Sequence, residues 1–261
     1  MLLGLDFDGT LLRTDDTISQ RTRKALADAR DAGWLVVGAT GRPPALAELV
    51  TSKLDELTHL VTNNGSLTID AVTDEIVRQI TCSADDARWA CAGIRDAVPD
   101  AGLAVDHVDG DQTWEYGLHT RVPKAPIGAQ VDDAVATIDG EVRKLLAWSE
   151  TVLLDDLYAI VQPLLATRID VTYSGLPFLE AGPHGVSKAT ALADLAESHG
   201  IALDDTVVFG DARNDHEMLR WAGTGVAMGN ADDETKGLAD VVTESNDDDG
   251  VAVYIERLLA G

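Results

Sequence analysis

The sequence predicts an α/β protein: a Rossmann-like, mostly parallel sheet core with an inserted α+β cap domain. Three observations point there. Short apolar strands alternate with helical patterns at both ends of the chain, the order from which a parallel sheet covered on both faces is built. A middle block, about 83–181, has helices and strands of its own and holds three of the five tryptophans, Trp89, Trp114 and Trp148. Four core strands end in polar clusters, at the edge where parallel sheets bind ligands. The expected division is a core from 1–82 and 182–261, with 83–181 as the cap.

The elements follow in chain order. LLGLDF (2–7) reads as a buried strand. Ser19 is a candidate N-cap for a helix ending near Gly33, with Thr22, Ala25, Leu26, Ala29 and Ala32 at helical spacing. WLVVGAT (34–40) is a second strand, ALAELVTSKL a second helix after Pro43-Pro44, and HLVTNNG (59–65) a third strand ending in a turn. SLTID and EIVRQI suggest a β-hairpin. The insert predicts a helix at 83–98, strands near 103–108, 113–118 and 142–149, a helix at 151–165 and a strand at 168–174. Alternation then resumes with a helix at 187–199 and strands TVVFGD (206–211), TGVAM (224–228) and ADVVT (239–243). A last helix after Gly250 places Val251, Tyr254, Ile255, Leu258 and Leu259 on one face.

Composition narrows the function. Of 261 residues, 45% are hydrophobic, enough for a sizeable core, and no apolar run approaches the 18–20 residues a membrane span needs. The first residues lack the basic region of a signal peptide. Cys82 and Cys91 make no disulfide framework, which predicts a reducing cytoplasm. The formal charge of −25 argues against nucleic acid and anionic membranes as partners. An anionic substrate would have to be drawn by a local cation.

The strand ends supply the chemistry. The first ends at Asp6-Phe7-Asp8-Gly9-Thr10, the second at Thr40-Gly41-Arg42, the third at Asn63-Asn64-Gly65, and a later one at Gly210-Asp211-Ala212-Arg213-Asn214-Asp215. Lys188 lies in the first turn of its helix, where the macrodipole disfavours a cation unless anions face it. Asp6, Asp8 and Asp211 are hard oxygen ligands suited to Mg²⁺, which retains waters and leaves room for a phosphate. No His or Cys pair stands at zinc spacing among these motifs. One carboxylate can attack phosphorus while a second protonates the leaving alcohol. Two nearby acids separate in pKa, which lets one stay ionised while the other holds a proton.

These residues resemble the haloacid dehalogenase-like phosphohydrolases. DFDGT resembles their first motif, Thr40 in ATGR the second, Lys188 in GVSKATAL the third and GDARND the fourth. The long insert and the tail VAMGNADDETKGLADVVTESNDDDGVAVYIERLL resemble the capped subgroup called Cof-type. The resemblance implies a Mg²⁺-dependent phosphatase acting on a small phosphorylated metabolite, such as a sugar phosphate. It implies Asp6 as nucleophile and metal ligand, and Asp8 as general acid/base, ligating through its backbone carbonyl. Asp211 would be the third protein ligand, with Asp215 and Asn214 supporting metal, water or phosphate. Thr40 and the Gly41 amide would hold phosphate oxygens, and Lys188 would neutralise the nucleophile and the phosphoryl group. Arg42 and Asn64 are candidate substrate contacts. In the cap, Trp114, Tyr116, His119 and Arg121 are candidates to reach the substrate. Monomer and dimer stay open.

Rival readings remain. A phosphomutase shares the chemistry, a phospho-accepting receiver domain also uses acids, Mg²⁺, Thr and Lys on a parallel sheet, and a catalytically silent phospho-metabolite sensor is a further reading that the intact acids argue against. A receiver is a short single domain whose acceptor Asp lies on a later strand than its acidic pair, whereas here DxD opens the chain. SNDDDGVAVYIE (245–256) nearly matches an EF-hand loop, but Ser245 holds the first position and a strand precedes it. It reads instead as an N-cap cluster opening the last helix.

Overall fold

The computed structural model describes residues 1–52, 54–118 and 128–261. It divides into two compact units: 1–42, 47–78 and 187–261 in one, 43–46 and 79–186 in the other. His119 and Arg121 lie outside the described residues.

In the first unit, parallel strands β1 (Leu2–Leu5), β2 (Leu35–Ala39), β3 (His59–Thr62), β12 (Thr206–Gly210), β13 (Thr224–Ala227) and β14 (Val241–Val242) form most of an eight-stranded sheet. Its order is β14-β13-β12-β1-β2-β3-β4-β5, with β4 (Leu67–Asp70) antiparallel to β3 and β5 (Ile76–Gln79) at the edge. β1 lies at the centre, Leu3 level with Val207 on one side and Val36 on the other. The period-two pattern of these strands sorts their side chains into two cores. Leu3, Leu5, Val36, Val207 and Phe209 pack with helices α1 (Gln20–Asp31) and α8 (Gly250–Ala260). Leu2, Val37, Ala39, Val61 and Val208 pack with α5 (Lys188–Ser198) and α6 (His216–Trp221). Ser19 caps α1 as predicted, its side chain accepting from Thr22 N. Two further helices, α2 (Pro44–Thr51) and α7 (Asp233–Leu238), complete the core elements.

The second unit has a six-stranded sheet ordered β10-β11-β9-β6-β7-β8. The strands are β6 (Gly102–His107), β7 (Gln112–Trp114), β8 (Ala129–Gln130), β9 (Val142–Trp148), β10 (Ile169–Thr172) and β11 (Leu179–Pro183). Helices α3 (Ala84–Ala97) and α4 (Leu154–Leu165) bury Ala87, Cys91, Ile94, Leu157 and Val161 against one set of strand residues, among them Leu103, Val105, Leu145 and Ala181. The alternate residues Ala104, Trp114, Leu146 and Trp148 form a separate cluster with Leu118 and Phe178. Beside them lies a buried ion pair, Lys144 Nζ to Glu180 at 2.7 Å, with Ser174 donating to Glu180 at 2.6 Å.

Two differences from the sequence reading lie here. β7 stops at Trp114, because the chain turns at Gly117 (φ 101°), instead of running to 118. β11 fills a stretch the sequence leaves without an element: LEAGP ends in Gly-Pro, which reads as a turn, yet it pairs with both β10 and β9. A third concerns the acidic loop before α8. Asp249 is the residue before the helix but is left-handed (φ 60°) and makes no side-chain capping bond. Its neighbours serve other purposes, described below.

Candidate active site

The carboxyl ends of β1, β2, β3 and β12 bring the predicted residues to one edge of the first unit. Asp6 follows β1 and is buried. Lys188, the first residue of α5, has no exposed surface. Its Nζ donates to Asp6 Oδ1 at 2.5 Å and to Asp215 Oδ1 at 2.7 Å. Ser187 closes a capping box with Thr190 and so fixes the start of that helix. Asp215 in turn accepts from the backbone N–H of Asp211 (3.0 Å) and Ala212 (3.1 Å), which folds the GDARND turn on itself. Thr10 Oγ1 donates to Asp211 Oδ1 at 3.2 Å. Carboxylate oxygens of Asp6, Asp211 and Asp215 all lie within 4.8 Å of one another.

The approach of these segments needs glycine. Gly9 sits at φ +81°, and a Cβ there would fall 2.2 Å from Asp211 Oδ2. Only a residue without a side chain lets the first and fourth motifs meet this closely.

Electrostatics follow from the crowding. Burial, and next the charge of Asp215, hold Asp6 well above the ordinary carboxylate range, while Lys188 pulls the other way. Burial and then Asp215 push Asp211 up to about 7. Burial alone would lower Lys188, but Asp215 and Asp6 outweigh it and raise it above its usual value. Fully ionised, three carboxylates would face one ammonium with two negative charges in excess, a cost that the raised pKa values of Asp6 and Asp211 express. This donor set, all hard oxygens and short of positive charge once ionised, fits a divalent cation of the Mg²⁺ type.

Asp8 stands apart from that triad. Its half-exposed carboxylate forms a two-pronged pair with Arg42, Nε to Oδ2 at 2.8 Å and Nη2 to Oδ1 at 2.5 Å. Arg42, singled out as a substrate contact, is thus engaged with a side chain of the same site. Thr40 is buried, and its Oγ1 accepts from Arg42 N at 3.1 Å; Gly41 lies in that turn. Asn64 and Asn214 meet each other, Asn214 Nδ2 donating to Asn64 Oδ1 at 3.0 Å. The turn carrying Asn64 is left-handed at Asn63 (φ 50°), Asn64 (φ 54°) and Gly65 (φ 110°).

Two residues that the sequence reading did not single out belong to the same neighbourhood. Asn230, in the loop after β13, donates to Gly9 O at 2.8 Å and approaches Asp211 Oδ2 at 3.5 Å. Asn246 holds Asn230 through its backbone N–H (3.0 Å to Oδ1) and donates from its own Nδ2 to Leu12 O at 2.8 Å. The signal was position: Asn230 also follows a core strand, within MGNADD.

Comparison with known proteins agrees with the fold and the motifs. The family profile of the haloacid dehalogenase-like hydrolases matches residues 3–255, and the chain belongs to that family. Within it the chain is of the capped Cof type, and it is a phosphatase, a phosphoric monoester hydrolase. The 5-amino-6-(5-phospho-D-ribitylamino)uracil phosphatase YcsE of Bacillus subtilis is 29% identical over 98% of this chain and 94% of its own length. The chloroplastic endoribonuclease YBEY of Arabidopsis thaliana is 32% identical over 97% of this chain, but the chain spans only 45% of that protein. A crystal structure of a haloacid dehalogenase-like hydrolase from Bacteroides thetaiotaomicron superposes with a TM-score of 0.81 at 29% identity, covering 98% of both chains. No helix of the described residues is long and apolar enough to cross a membrane.

Proposed function

We propose that this protein is a Mg²⁺-dependent phosphatase that hydrolyses a small phosphorylated metabolite, a sugar or polyol phosphate, through an aspartyl-phosphate, with 83–181 as the cap inserted into the 1–82 and 182–261 core. The observation that carries the proposal is the buried Asp6–Lys188–Asp215 chain with Asp211 beside it. It provides an ionisable nucleophile, a fixed cation and a cluster that calls for a divalent ion. The polyol preference draws on the phosphoribityl substrate named for YcsE.

Each residue has a task. Asp6, Asp211 and the Asp8 backbone carbonyl would hold the ion, with Asp215 behind them. When bound, the ion supplies positive charge to the nucleophile and to the phosphoryl oxygens. Lys188 holds the Asp6 carboxylate in place and offsets charge as the oxygen attacks phosphorus. Thr40 and the Gly41 amide receive the phosphoryl oxygens. Asp8 gives its proton to the departing alcohol. It then takes one from the water that attacks the acyl phosphate, regenerating Asp6 and releasing phosphate. For that exchange Asp8 must leave Arg42, or share it with the substrate. Asn64 and Asn214, bonded to each other, would contact the substrate beside the phosphate.

The experiment is phosphate release from a panel of phosphorylated metabolites, with and without Mg²⁺. Multiple turnovers that stop on chelation support the reading. Turnover unchanged in chelator would overturn the Mg²⁺ dependence, and turnover confined to other phosphates would overturn the sugar or polyol preference.

A further inference from the structure

We infer that Asn230, anchored by Asn246, is a positioning residue that pre-arranges the acidic cluster for its divalent ion; the inference rests on the metal-dependent reading above. The observation is a chain of amide contacts joining loops far apart in sequence. Asn230 Nδ2 donates to the Gly9 carbonyl at 2.8 Å and lies 3.5 Å from Asp211 Oδ2. Thr10 holds the other oxygen of the same carboxylate at 3.2 Å. Asp211 is therefore flanked by one group on the 9–10 turn and by another that is itself bonded to that turn. Strand pairing brings the two loops side by side, Asp6 N donating to Phe209 O at 3.1 Å, and these side-chain bonds then fix how Asp211 faces the 9–10 turn.

Asn230 is exposed and would rotate freely without an anchor. Asn246, largely buried, supplies one: its backbone N–H fixes Asn230 Oδ1 at 3.0 Å, which assigns Nδ2 to the Gly9 side. Its own side chain donates to Leu12 O at 2.8 Å. The rest of the acidic loop clasps the same stretch of chain. Asp247 accepts from Thr14 N (2.9 Å) and Thr14 Oγ1 (2.7 Å), and Asp249 accepts from Arg13 at 2.7 Å. The segment that nearly matches an EF-hand thus spends its side chains on the loop after β1. Cost-free orientation of ligands is what groups behind a metal site provide, and losing one typically weakens the metal about 10- to 100-fold.

The test uses the full chain freed of divalent ions and titrated with MgCl₂ alone in a calorimeter. Asn230→Ala is expected to weaken Mg²⁺ binding at least about tenfold. At saturating Mg²⁺, kcat and the substrate KM should return close to wild type, and the metal-free thermal midpoint should change little. Asn246→Ala, which keeps the backbone anchor, should show a smaller shift in the same direction. Wild-type Mg²⁺ affinity in folded Asn230→Ala would overturn the inference while leaving the metal-dependent reading intact. A wild-type protein that binds no Mg²⁺ would overturn both. Should Asn230→Ala fail to fold, Asn246→Ala decides: weakened binding supports the inference, unchanged binding overturns it.

Discussion

Lys188 and Asp6 illustrate what can be achieved by one buried pair. Removing one partner of such a pair ordinarily leaves an uncompensated charge. Asp6→Asn is different, because the site holds an excess of acid and Lys188 keeps Asp215. The variant is expected to fold, with a metal-free thermal midpoint at or above wild type, and to release no measurable phosphate. Circular dichroism and a phosphate assay check both halves, and near wild-type turnover would exclude Asp6 as nucleophile. Arg42→Ala frees Asp8 from its clamp. The pair is too exposed to carry much stability, about 0–1 kcal/mol. The expected result is an unchanged denaturation midpoint but a kcat lowered about tenfold or more, since the substrate loses the cation it would share with Asp8. Asp6 and Asp211 were legible in the sequence because each directly follows an apolar strand. Asn230 and Asn246 were not, since asparagine is an ordinary turn residue and nothing local marks the carbonyls it reaches. The Arg42–Asp8 pair was likewise invisible, as it joins residues 34 positions apart.

At the scale of elements, α5 links stability to the site. Ser187 caps it, and Ser187 O packs so tightly on Gly65 that a Cβ at position 65 would fall 2.2 Å away. Ser187→Ala should cost about 1 kcal/mol in urea denaturation. It should also lower kcat by more than that loss of folded protein explains, because Lys188 is the next residue. Gly65→Ala should cost more, on the order of 1–3 kcal/mol, since its backbone is left-handed as well as crowded. Core strands and α1 were legible because their periods are clean and Ser19 is a strong cap. β11 was not, because a strand ending in Gly-Pro carries the local signature of a turn and forms only through its two neighbours.

For the whole molecule, the acidic cluster couples folding to pH and to metal. Asp211, raised to about 7, keeps its proton in the fold where the unfolded chain has already released it. Its contribution to stability therefore falls as pH rises from about 4 to about 7. Buried His59 and His216 act in the opposite sense. Burial depresses both, so the stability they contribute is held above their ordinary pKa and lost as pH falls through the lowered values. Comparing wild type with Asp211→Asn isolates the carboxylate. In chelator, the stability difference in favour of the variant should widen between pH 5 and 7.5. Mg²⁺ should stabilise the wild type more at pH 7.5 than at pH 5, because the ion displaces that proton. Thermal melts at the two pH values test both statements. The fold class was readable from the alternation of strands and helices, whereas the substrate was not, because no motif in 83–181 encodes a ligand by spacing.

Arg78, the last residue of the first unit before the chain departs, donates to Gly65 O at 2.8 Å and pairs with Asp194 of α5 at 2.6 Å. The chain returns at Ser187, against that same glycine. Departure and return are thus stitched to one spot by residues that belong to the chemistry's own scaffold. Whatever is spliced between those stitches can be rewritten by evolution, or exchanged by an engineer, while the reacting groups keep their places.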